Sequence, residues 1–192
     1  APIYQDVPRL RNHMEQDMSK TSAVRRLAGK KAKSSGAEFE KYLVKWVFPE
    51  ALRCGLFRRI DKLNPDHAAA GKLKGRTVFA PTARSGADWV AMGGNLCKWE
   101  YIAIEAKSVD GNSLGKSGLT DEQITHLQAA HDEGQLGLLL VRFDAGVYAL
   151  RWTESLLVKR PNGESVRAEE LDPALKIDAA NPLHKIMDRW PR

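Results

Sequence analysis

The chain has 192 residues, 43% of them hydrophobic and 28% charged, with a formal net charge of +6; this is an ordinary balance for one globular domain with its own core. No apolar stretch approaches the roughly 20 residues that cross a bilayer, which argues against a membrane protein. The surplus positive charge favours an anionic partner, either nucleic acid or a membrane surface.

The first residues, Ala1 to Asp6, show no charged segment leading into an apolar one, so no secretory signal is expected there. From Lys20 through Arg25, Arg26, Lys30, Lys31 and Lys33 no acidic residue occurs until Glu38. This stretch ends in Ser34-Ser35-Gly36 and reads either as a solvated arm or as one that binds phosphate. Residues 1–34 are therefore set apart as a basic arm, and residues 35–192 as the folded domain.

Ser34 or Ser35 can cap a helix that begins near Ala37. Its apolar positions Phe39, Tyr42, Leu43, Trp46 and Val47 follow helical spacing. Pro49 should end or kink this helix near Phe48. Glu40 falls at the edge of the apolar stripe, where a solvated rim residue is the simpler reading and a carboxylate facing the helix–sheet junction the other.

A short strand is expected at Leu56 to Ile60, a loop at Asn64 to Lys74, a weak strand at Arg76 to Ala80 and a polar turn at Pro81 to Gly86. Cys54 and Cys97 stand alone, without metal-type spacing, and read as two reduced thiols. With the charge balance, this suggests a cytoplasmic domain that faces nucleic acid. Asp88 to Met92 forms a strand, Gly93-Gly94-Asn95 a hairpin turn, and Lys98 to Lys107 the longest alternating strand. A Gly/Ser-rich loop from Val109 to Gly118 leads to Thr120, which opens a helix with Gln123 in capping-box position. Leu136 to Phe143 is almost continuously apolar, as in a strand buried on both faces, and turns through Asp144-Ala145-Gly146 into Val147 to Trp152. Pro161-Asn162-Gly163 is another turn, and a short helix near Leu183 to Trp190 closes the chain. The order predicts an α/β fold: a central mixed β-sheet flanked by helices.

Chemistry concentrates at the end of the longest strand. Side chains alternate faces along a strand, so Glu105 and Lys107 point the same way, and Asp88 begins the neighbouring strand. Magnesium prefers oxygen ligands and keeps several waters, so Asp88, Glu105 and the backbone carbonyl of Ala106 could hold it together with a substrate phosphate. Lys107 would then orient a water or neutralise charge developing on phosphorus. A Glu-x-Lys pair alone is also a common surface ion pair. The segment Gly111 to Ser117 resembles a P-loop but has one residue too few between its glycines. His126 and His131 are five apart, not four, which disfavours a zinc site. No serine sits in a Gly-x-Ser-x-Gly elbow.

Gly36-Ala37-Glu38-Phe39-Glu40, Gly86-Ala87-Asp88, Glu105-Ala106-Lys107 and Glu122-Gln123-Ile124-Thr125-His126-Leu127, in this order, resemble the RecU family of Holliday junction resolvases. That family belongs to the PD-(D/E)XK nuclease superfamily, together with the archaeal junction resolvases. The resemblance runs from about Ser35 to the C-terminus, including Pro81-Thr82 and the tail from Glu169 to Trp190. It implies a restriction-endonuclease-like core and a homodimer that nicks branched DNA with magnesium or manganese. It further implies that Asp88 and Glu105 are metal ligands, Lys107 the catalytic lysine, Glu40 a first-helix carboxylate near the metal, and Gln123 an active-site glutamine. For Gln123 the alternative is that it only completes the capping box.

One departure stands out. The RecU family carries a stalk between the Pro-Thr segment and the aspartate, whereas only five residues separate Thr82 from Asp88 here. Junction selectivity then either comes from elsewhere, for which the arm and the loop from Asn64 to Lys74 are candidates, or is weaker. Arg25, Arg26, Lys30, Lys31, Lys74, Arg76 and Arg84 are the expected phosphate contacts. Three functions follow in order: a junction-resolving endonuclease, a less selective nuclease of repair or restriction, and a non-catalytic DNA-binding protein.

Overall fold

The computed structural model describes residues 35–63, 87–115, 118–152 and 165–191. The expected loop after Asn64, the weak strand at Arg76 to Ala80, the turns at Pro81 to Gly86 and Pro161 to Gly163, and the arm lie outside these residues.

A helical run over residues 35–53, α1, opens the described chain. It does not stop near Phe48. Pro49 has no N–H to donate, and its ring crowds the preceding turn. The helix accommodates it by widening: Leu43–Val47 is π-helical, with the Phe48 N–H bonded to the Leu43 carbonyl, and Phe48–Arg53 returns to α. Phe39, Leu43 and Val47 form the buried stripe, while Tyr42 and Trp46, expected on it, are 36% and 59% exposed. They lie one position before Leu43 and Val47, and the roughly 100° step per residue turns them off the core. Ser35 is already helical, and its hydroxyl serves a tertiary contact described below. Gly55, at φ +80°, lets the chain leave the helix.

Among the described residues the central sheet has six strands: β1 (Phe57–Lys62), β2 (Trp89–Gly93), β3 (Tyr101–Ser108), β5 (Leu136–Phe143), β6 (Gly146–Arg151) and β8 (Lys176–Ile177), side by side in that order. β1, β2 and β3 form an antiparallel meander, with a register shift in β1 between Phe57 and Arg59. β3 and β5 are parallel, joined through helix α2 (Asp121–Asp132), and β6 and β8 follow antiparallel. β4 (Ser113–Gly115) and β7 (Ser165–Arg167) form a separate two-stranded ladder; the sequence reading had placed the first of these in a loop. The mixed sheet flanked by helices is the α/β architecture expected.

Alternation divides the core. Ile102, Ile104, Leu136, Leu138 and Leu140 face α1 and the C-terminal helix α3 (Leu183–Asp188), joined by Phe39, Leu43, Ile186 and Trp190. Ala103, Leu139, Val141 and Leu150 face α2, joined by Leu127 and Ala130. β5 is buried on both faces, as its apolar run requires. The β2–β3 turn needs glycine for close approach: a Cβ at Gly94 would lie 2.2 Å from the Gly55 carbonyl oxygen. No helix among the described residues is long and apolar enough to cross a membrane.

Candidate active site

β3 carries Glu105 and Lys107 on the face toward α2, and β2 begins immediately after Asp88. The Asp88 N–H bonds to the Ile104 carbonyl, and its Oδ2 accepts the Ala106 N–H at 2.9 Å. This pins the Asp88 carboxylate across the end of β2, beside Glu105. The two carboxyl groups are near enough for the charge on Asp88 to be felt at Glu105.

Glu105 is fully buried, the only buried charged residue among those described. Its Oε1 accepts from Gln123 Nε2 at 2.5 Å and lies 3.0 Å from Lys107 Nζ. Its Oε2 has no hydrogen-bond partner among the described residues. Burial, and then the neighbouring Asp88 charge, push the Glu105 carboxyl up to about 8, although Lys107 pulls the other way. Burial also raises Asp88, against the Ala106 N–H and Lys107, with the Glu40 charge adding to the rise. Two carboxyls this close titrate as a pair, and at neutral pH the metal-free pair retains a proton.

Gln123 has two roles at once. Its Oε1 accepts the Thr120 N–H, and the Thr120 hydroxyl accepts the Gln123 N–H, which completes the capping box. Its Nε2 reaches Glu105. The sequence alternatives, cap or site residue, are therefore not exclusive in geometry. Fixing the carbonyl end at the helix start leaves only the donor end to face the carboxylate.

Glu40 lies at the rim, about a third exposed, and pairs with Lys62 Nζ at 2.5 Å. No contact joins it to Glu105, but its charge is felt at Asp88. Lys62, in register with Trp89 and 5.5 Å from its ring centroid, was not singled out in the sequence. Only the long-range pairing of β1 with β2 brings it here. The expected phosphate contacts Arg25, Arg26, Lys30, Lys31, Lys74, Arg76 and Arg84 lie outside the described residues.

No group of three or more His, Cys, Asp or Glu among the described residues is arranged to hold a metal ion. Two carboxylates and a backbone carbonyl nevertheless fit magnesium or manganese, which retain water ligands. The donor-less Glu105 Oε2, buried against Asp88, is the kind of oxygen a cation would satisfy. A surface cavity of about 450 Å³ lies instead on the α1 side, lined by Tyr42, Trp46, Glu50, Ile177 and Pro182. It shares no lining residue with the Asp88, Glu105, Lys107 and Gln123 cluster.

No protein-family model matches the chain, and no curated protein matches it. Among solved structures it is similar to Hjc from Archaeoglobus fulgidus, a Holliday junction resolvase from an archaeal hyperthermophile. The two are 18% identical, with 70% of this chain and 89% of that one covered, at a TM-score of 0.40.

Proposed function

We propose that the chain is a divalent-metal-dependent DNA endonuclease with a restriction-endonuclease-like core, and that it resolves four-way junctions as a homodimer. The observation that carries this reading is the buried Glu105 carboxyl, beside Asp88, held on one oxygen by Lys107 and Gln123 and lacking a donor on the other. A cation between the two carboxyls would replace the proton that the metal-free pair retains and give Oε2 the partner it lacks among the described residues.

Asp88, Glu105 and the Ala106 carbonyl, which leaves β3 on the same side as the N–H that Asp88 accepts, would hold magnesium or manganese. When bound, the cation would polarise a phosphoryl oxygen and acidify a water. Lys107, with a side chain 22% exposed, presents its ammonium both to Glu105 and to the solvent side. It is placed to neutralise charge that grows on phosphate as the bond to oxygen breaks. Gln123 and Lys107 fix the rotamer of Glu105, and the Ala106 N–H fixes that of Asp88. Two copies related by a two-fold axis would set two such sites against the paired strands of a branched substrate.

The test is a labelled four-way junction and a matched linear duplex, each incubated with magnesium, manganese or chelator. Paired nicks on the junction alone support resolution. Equal cutting of both substrates supports a less selective nuclease, a reading favoured by the absent stalk. Binding with no cutting under either cation leaves a DNA-binding protein. Asp88→Asn keeps an oxygen for the Ala106 N–H but loses the charge, so cleavage should vanish while junction binding survives; cleavage by that variant would overturn the site.

A further inference from the structure

Arg142, near the end of β5, is absent from every motif above, yet it joins α1, which bears Glu40, to the end of β3, which bears Glu105 and Lys107. Its Nε donates to the Ser108 hydroxyl at 3.0 Å. Its second terminal nitrogen donates to both the Ser35 carbonyl and the Ser35 hydroxyl at 2.9 Å. The two hydroxyls lie 2.8 Å from one another, and the guanidinium sits 5.6 Å from the Phe39 ring centroid. Arg142 pairs with Ser108 in the parallel register, and its carbonyl accepts the Val109 N–H. One planar fork thus spans the first turn of α1, the final residue of β3 and the end of β5.

The positions matter. Ser108 follows Lys107 directly, Phe39 precedes Glu40 directly, and Ser35 is the first described residue of the helix that bears Glu40. The described start of α1 and the end of β3 share no ladder or helix bond, so beyond the packing of Phe39 and Leu43 on β3 their relative position is set by side-chain bonds. A guanidinium suits this because its donors are rigidly coplanar, whereas an ammonium on a flexible stem holds no fixed direction. From this we infer that Arg142 is a positioning residue, which fixes Glu40 and Lys107 relative to one another and touches no substrate. This inference rests on the endonuclease reading proposed above.

The rival role for a partly buried arginine at the ends of parallel strands is a phosphate contact. Arg142→Lys separates the two, since it keeps the charge and loses the fork. Positioning predicts that Arg142→Lys and Arg142→Gln both lower the single-turnover cleavage rate by roughly 10- to 100-fold, the scale of small misplacements at a reacting centre. Junction affinity and its salt dependence should stay at the values of the unaltered chain. Amide hydrogen exchange over residues 36–40 and 107–109 should quicken in both variants, without DNA, while the thermal midpoint of Arg142→Lys holds.

A phosphate contact predicts near-normal cleavage in Arg142→Lys, with weaker binding and a shallower salt slope in Arg142→Gln; either result overturns the inference. So does unchanged exchange over those segments, or a rate loss that tracks a lowered midpoint. If the unaltered chain cuts no DNA with either cation, it is the endonuclease reading that falls, and exchange alone then decides whether Arg142 holds α1 to β3.

Discussion

Replacing Glu105 by glutamine should make the metal-free protein more stable at alkaline pH and inactive at any pH. Burial and the Asp88 charge lift this carboxyl from 4.5 to about 8. A carboxyl raised on folding binds more protons in the folded state than in the unfolded one between those two values. Its contribution is therefore intact below about pH 4.5 and is lost as pH rises through about 8. At about 1.4 kcal/mol per unit the shift sets a ceiling near 5 kcal/mol, and relaxation around a buried charge reduces the expectation to about 2–3 kcal/mol. Glutamine retains an oxygen for Gln123 and Lys107, and it sets an NH₂ where Oε2 lacks a donor, facing Asp88. Urea unfolding of both proteins in chelator, from pH 5 to pH 9, measures the difference. It should be near zero at pH 5 and grow to about 2–3 kcal/mol at pH 9, or roughly 5–10 °C in thermal midpoint for a domain of this size. Magnesium or manganese should stabilise the unaltered chain at pH 8 and leave the glutamine variant unchanged. A variant less stable at pH 8, or a difference independent of pH, would refute the argument, because Glu105 would then be ionised and satisfied by the fold alone.

The remaining predictions concern Gln123 and the β2–β3 turn. Gln123→Glu keeps an acceptor for the Thr120 N–H but sets a second carboxylate against Glu105, so helix content should hold while cleavage falls at least roughly tenfold. Normal cleavage would show that the donor end of this amide is idle. Gln123→Ala loses both contacts and should cost about 1 kcal/mol in urea unfolding as well as activity. Gly94→Ala should destabilise by about 1–3 kcal/mol, since the new Cβ meets a backbone oxygen that cannot rotate away; an unchanged midpoint would mean that the turn relaxes.

Periodicity carried most of the architecture. β5 announced itself as an unbroken apolar run, α2 by its capping box, and β3 by alternation, because each of these signals depends on neighbours in sequence. The widened turn in α1 was not legible: Pro49 signals an interruption, but whether a helix breaks or swells depends on the core that Phe39, Leu43, Val47 and Phe48 fill together. β4 and β8, of three and two residues, are too short to show a period and exist only through their partners. At the site, Asp88, Glu105 and Lys107 were found from strand ends and spacing, and the structure brings them together. Lys62 and Arg142 were missed because their partners lie 22 and 107 residues away, in Glu40 and Ser35.

The edge of the sheet constrains how two copies could meet. A bare outer strand invites a second chain to add its own strand alongside. β1 discourages this by carrying exposed Arg58, Arg59 and Lys62 and by breaking its register after Phe57, while β8, at the opposite border, offers only two residues. Fusion of two sheets into one continuous sheet is thus disfavoured at both borders of the sheet formed by the described residues. The homodimer proposed above would then be built through helices or loops, leaving the β1 edge exposed beside the Lys62–Glu40 pair.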